Sequence, residues 1–93
     1  MTTSELTNLW EDIENIINAP TKAEAKLLVS HLRIQTSKIK ADINNPYFKN
    51  KLDEVIIYAE EASGRVKNKE QMASSAKQSW YVFKNKIKIN ENT

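Results

Sequence analysis

From Phe48 onward the apolar residues Phe48, Leu52, Val55, Ala59, Ala62 and Val66 recur at alternating steps of four and three. The same register continues through Ala73, Ala76, Trp80, Phe83 and Ile87. A seam of this kind belongs to helices that bury one stripe against a partner, and it leaves two outcomes. Read literally it is one helix of about 40 residues, about 60 Å long at 1.5 Å per residue, whose apolar face needs a second chain. Folded back, it is two shorter helices that cover each other. Lys69 occupies a core position of the register, and the only glycine stands in "ASGRVKNKE". There Gly64 can end one helix, and Asn68 can cap the next with Gln71 three residues on. The sequence therefore predicts a turn between residues 64 and 68.

Composition agrees with an all-helical chain. Of 93 residues, 40% are hydrophobic and 28% charged, with one glycine and two prolines, whereas an all-β chain needs turn residues at intervals of about 8–12. The expected architecture is all-α, a small antiparallel bundle of four helices near 3–18, 21–44, 46–63 and 68–88, forming a single domain over 1–93. The alternative is three helices, the last one long and dimeric. Cysteine is absent, which excludes disulfides and thiolate metal sites. The N-terminus "MTTSELTNLWEDIENII" has no basic segment before its apolar positions, and no apolar run approaches the roughly 18 residues of a membrane span. A soluble, cytoplasmic protein without a membrane partner is the expectation.

In the first helix Leu6, Leu9, Trp10, Ile13, Ile16 and Ile17 form one stripe, opened by Thr2 or Thr3 with Glu5 in a capping arrangement. "NAPT" ends it, and Thr21 with Glu24 is placed to start the second. On that second helix Ala25, Leu28, Leu32, Ile39 and Ile43 make one apolar line, and Leu27, His31 and Ile34 a second beside it. An apolar arc so wide predicts a helix flanked on two sides. Lys22, Lys26, Arg33 and Lys40 share the remaining arc, which reads as a solvated face. Asn45 and Pro46 in "INNPYF" are the expected cap and first residue of the third helix.

Little in the chain suggests catalysis. Its one histidine, His31, lacks an acid three residues before it and has no second histidine to share a zinc ion; a structural role is expected. Asp53-Glu54 and Glu60-Glu61 fall seven residues apart on one helix, but a calcium site needs about six or more oxygens, many from a bent loop. Phosphate-cradling loops need glycines the chain does not have. No cofactor and no metal are expected, and the protein is read as non-enzymatic.

Surface features remain. The belts "VIIYA" (55–59) and "SWYVF" (79–83) are apolar most of the way round a helix, so each exceeds what one core-facing stripe can hide. Charge is also uneven. The net value is only +2, yet residues 1–20 carry Glu5, Glu11, Asp12 and Glu14 and no base, whereas 65–93 carry seven lysines and arginines against Glu70 and Glu91. The two ends are expected to lie side by side. The function these features suggest is a small protein-binding module, of inhibitor, immunity or adaptor type, meeting another protein or a second copy of itself. Tyr58, Tyr81 and Val82 with Lys77, Lys84, Lys86 and Lys88 are the candidate contacts. The alternative partner is nucleic acid, with those lysines on phosphates.

Overall fold

Three local breaks divide the chain into four helices. The computed structural model describes residues 3–41, 43, 45–64 and 67–86, and in it α1 spans Thr3–Ile17, α2 Lys22–Ala41, α3 Pro46–Ala62 and α4 Lys69–Lys86. At the first break the Thr21 hydroxyl accepts from the Glu24 N–H at 3.2 Å, the cap the sequence predicts. At the second, Asn45 Oδ1 accepts from the Tyr47 N–H at 2.9 Å, and Pro46 stands first in α3. A cap from Thr2 lies outside the described residues.

The third break settles the fold. Ser63 closes α3: its N–H donates to the Ala59 and Glu60 carbonyls, both at 3.2 Å, and its hydroxyl donates to the Glu60 carbonyl at 2.5 Å. Gly64 then takes φ +68°, and Asn68 follows at φ 63°. Left-handed backbone costs an ordinary side chain about 1–2 kcal/mol; glycine escapes that cost and asparagine tolerates it best. Asn68 therefore starts α4 through its carbonyl, which accepts from the Met72 N–H at 3.1 Å, in place of the extended conformation usual for a cap. The chain reverses here, and the long-helix alternative is not the fold adopted.

Folded back, the heptad seam closes on itself. Leu52, Val55, Ala59 and Ala62 of α3 and Ala76, Trp80 and Phe83 of α4 are buried, with Phe48 and Ala73 partly so. Val66 and Ile87 lie outside the described residues. Alanines sit toward the turn, where they let the backbones approach, and the bulky side chains lie away from it. Across this hairpin α1 lays Leu6, Leu9, Ile13, Ile16 and Ile17, all buried. Trp10 stacks on Trp80 with ring centroids 5.5 Å apart, and Trp80 touches Phe83 at 5.7 Å, so an aromatic cluster ties α1 to α4.

Only α2 departs from expectation. Its buried stripe is Ala25, Val29, Leu32 and Thr36, with Ile39 half-buried. Leu27 is 73% exposed, Ile34 66% and Leu28 39%, and His31 is exposed. The second apolar line thus faces away from the core, and the helix is covered on one side. The reason lies on α3. Lys40 Nζ donates to Asp53 Oδ1 at 2.8 Å with Arg33 3.8 Å from the same oxygen, while Lys22 Nζ donates to the Glu60 carbonyl at 2.5 Å and to that of Glu61 at 3.5 Å. At 100° per residue these three bases lie about 60–80° round from Ala25, so they clamp one edge of the buried stripe to α3. Lys22, Lys26 and Arg33 are exposed and Lys40 is half-buried, so the basic arc is the solvated face expected, with three of its four bases also reaching α3. Thr36 is accommodated because its hydroxyl donates to the Arg33 carbonyl at 3.3 Å.

Two measurements check this packing. Leu32→Ala should lower stability by about 2–5 kcal/mol, while Leu27→Ala stays within about 0.5 kcal/mol of the parent; the opposite ranking in urea denaturation would show α2 rotated the other way. Gly64→Ala should cost about 1–2 kcal/mol and Gly64→Asn less, since the nearest atom to an added Cβ, on Lys22, is at 3.6 Å and backbone strain alone opposes it.

Candidate functional site

Four titratable side chains, Lys22, Arg33, Lys40 and Asp53, make contacts between α2 and α3. Asp53 and Glu54, adjacent in sequence, diverge: Asp53 turns to the bases of α2, and Glu54 to Lys51 at 2.9 Å. Among the described residues no three His, Cys, Asp or Glu side chains converge as metal ligands would. The carboxylate of Glu54 holds the Lys51 amine above lysine's ordinary value through their hydrogen bond, a shift that Tyr47 and Tyr58 reinforce. Lys51 also lies 5.3 Å from the centre of the Tyr47 ring. His31 lines a shallow dent between α1 and α2 with Asp12, Asn15 and Gln35.

The apolar belts are partly hidden, as their breadth requires. In the first, Val55, Ile56 and Ala59 are buried, Ile57 is 49% exposed and Tyr58 is half-buried against the core. In the second, Ser79, Trp80 and Phe83 are buried, Val82 is half-buried and Tyr81 is 50% exposed. Lys77 and Lys84 are exposed. They stand four residues before and three after Tyr81, so the three share one outward stripe of α4. Lys86 ends α4 with its side chain outside the described residues, and Lys88 lies outside them entirely.

These candidates fall on two faces. Lys77 lines a groove of about 370 Å³ between α1 and α4, together with Trp10, Glu14, Ile17, Glu70 and Ala73. Tyr81, one turn on from Lys77, lies beside that groove. Val82 is about 140° round from Lys77, and Tyr58 about 140° round from the α2-facing Asp53, so both belong to the flank of the hairpin away from α1 and α2. The sequence's grouping of Tyr58, Tyr81 and Val82 into one surface is therefore divided by the fold. Glu14 and Lys77 on opposite walls of the groove place the acidic α1 beside the basic α4, the side-by-side arrangement that the charge distribution suggests.

Sequence reasoning missed the outer face of α2. Ala23, Leu27, Ser30, Ile34, Ser37 and Ala41 repeat at steps of four and three and are all exposed, a second heptad line opposite the buried one. Its signal was present, in small residues alternating with Leu27 and Ile34, but nothing local marks which of two seams faces inward. No helix among the described residues is long and apolar enough to cross a membrane. No known family model matches the sequence, and neither a curated protein nor a solved structure matches the chain.

Glu54→Gln should lower the Lys51 pKa toward 10.5, which an NMR titration of the lysine side chain reads directly. Because the folded value is the higher one, the pair contributes to stability below the ordinary lysine range and stops contributing as pH rises through the raised value. An alkaline unfolding midpoint unchanged by Glu54→Gln would contradict that coupling.

Proposed function

We propose that this protein is a non-enzymatic, cytoplasmic binding module that acts by presenting a helix surface to another protein. The observation that carries the reading is Tyr81, half-exposed on a rigid helix between exposed Lys77 and Lys84 and beside the groove walled by α1 and α4. An aromatic side chain anchored on a packed helix loses little freedom when a partner covers it, and aromatic residues are enriched at the centres of protein interfaces. Trp10 on the groove wall extends the same surface, and Glu14 opposite Lys77 offers both signs of charge to a partner's rim. Val82 and Tyr58 form a lesser, half-buried surface on the far flank of the hairpin, available to a partner that reaches round α4.

One further feature favours a second reading. Exposed lysines one turn either side of an exposed tyrosine are also the arrangement that stacks a base and holds its phosphates, so single-stranded nucleic acid is the alternative ligand.

One set of measurements separates these. Immobilised wild-type protein should retain from native lysate a partner protein that Tyr81→Glu loses by about thirtyfold in affinity, as expected for an aromatic anchor of about 2 kcal/mol, with helicity by circular dichroism unchanged. Binding to a mixed DNA and RNA pool at about 50 mM salt that weakens steeply as salt rises would transfer the function to nucleic acid. A chain that retains nothing, or retains its partner equally well after Tyr81→Glu, Lys77→Glu and Lys84→Glu, would remove both readings.

A further inference from the structure

The outer face of α2 carries a second apolar seam that the described fold leaves exposed. Leu27 and Ile34, the two most exposed large apolar side chains among the described residues, sit 180–200° round the helix from Ala25 at the centre of its buried stripe. Ala23, Ser30, Ser37 and Ala41 continue the line at heptad spacing. Alternation of bulky and small side chains along one seam is what lets two helices interdigitate at close range. Scattered exposed leucines need no explanation; two in register, opposite the core and bordered by small residues, describe a packing surface.

Charges beside the seam say what covers it. Glu24 and Lys38 lie on the same edge of that line, seven residues either side of His31. In an antiparallel pair related by a twofold axis near residue 31, like edges meet. Leu27 then falls opposite Ile34 of the copy, and Glu24 opposite Lys38 of the copy, twice over by symmetry. A parallel pair would instead bring unlike edges together, setting Lys26 against His31 of the copy and Arg33 against Lys38, with no opposite charges paired. On the other edge Arg33 is drawn toward α3 by Asp53, 3.8 Å away, which leaves Lys26 as the main like charge there. Glu24 and Lys38 thus make the face complementary to itself in one orientation only.

From these features the geometry points to a symmetric dimer formed by antiparallel pairing of α2 with α2 of a second copy, through Leu27 and Ile34 and bordered by Glu24–Lys38 pairs. Two helices about 30 Å long that touch along a strip on the order of 10 Å wide bury only a few hundred Å² each, at the small end for specific interfaces. The dimer is therefore weak, with a Kd between about 10 µM and 1 mM. It leaves the α4 surface free, so the protein can bind through Tyr81 as two copies.

Sedimentation equilibrium of the full chain from about 10 µM to 1 mM tests this. The mean mass should rise from 10.7 kDa toward twice that value. Ile34→Glu should abolish the rise while leaving the thermal melt unchanged at low concentration, because the side chain is exposed in the monomer. Glu24→Lys and Lys38→Glu should each weaken association about tenfold, and the double exchange should restore it to within about threefold of the parent. That recovery is the decisive result, because both exchanges oppose the helix dipole and a purely structural effect would worsen in the double variant. A chain that stays monomeric at 1 mM, a dimer that survives Ile34→Glu, or a double exchange no better than the singles would each overturn the proposal. A dimer abolished by Tyr81→Glu alone would place self-association on α4 instead. Monomeric behaviour here would leave the partner-binding reading of α4 untouched, and loss of that reading would not affect this one.

Discussion

Left-handed backbone at Gly64 and Asn68 converts a seam that could have demanded a second chain into a hairpin that satisfies itself. Everything else is arranged around that hairpin. Ser63 and Lys22 collect the carbonyls that α3 leaves open as it ends, so the reversal is held by hydrogen bonds from two directions. Lys22 belongs to the first turn of α2, and the Gly64 turn packs against Thr21 and Lys22. The corner between α1 and α2 is therefore braced by the same few residues that close α3.

Once the hairpin exists, the remaining helices have limited freedom. α1 brings five buried aliphatic residues and Trp10, whose stacking on Trp80 sets its position relative to α4. α2 has two apolar lines to offer and one place to put them. The inner line brings Val29, Leu32 and Ile39 and the outer one Leu27 and Ile34, each large side chain contributing about 1.5–3 kcal/mol when fully covered. The bases favour the same choice. Turning Leu27 and Ile34 inward would carry Lys22, Arg33 and Lys40 away from α3 and leave Asp53 without a cation. A half-exposed network of this kind contributes little stability compared with burial, and it adds to the preference that burial of Val29, Leu32 and Ile39 already gives.

That outcome shapes how the protein can act. Aromatic and apolar surface that the core does not use is displayed on opposite parts of the molecule: Tyr81 with its lysines on α4, and Leu27 with Ile34 on α2. Both patches ride on helices whose other faces are packed, so each is held rigid. Acidic and basic groups divide in a similar way. Asp53 and Glu54 are occupied within the fold, while Lys77, Lys84, Glu24 and Lys38 are exposed.

Local chemistry alone determined most of the architecture. Helix ends at Thr21, Asn45 and Gly64 follow from hydrogen-bonding side chains and from the conformations open to proline and glycine, and the α3–α4 core follows from a heptad period that only one face of a helix can satisfy. The stripe of α1 was equally legible, because it offers a single continuous apolar line. Tertiary structure decided the rotation of α2, and with it which apolar residues remain at the surface. It also divided Tyr58 and Val82 from Tyr81, since a helix that is apolar most of the way round does not reveal which arc its neighbours will cover. Periodicity records how many faces of a helix could be buried; only the charges and shapes of the neighbouring helices select the one that is.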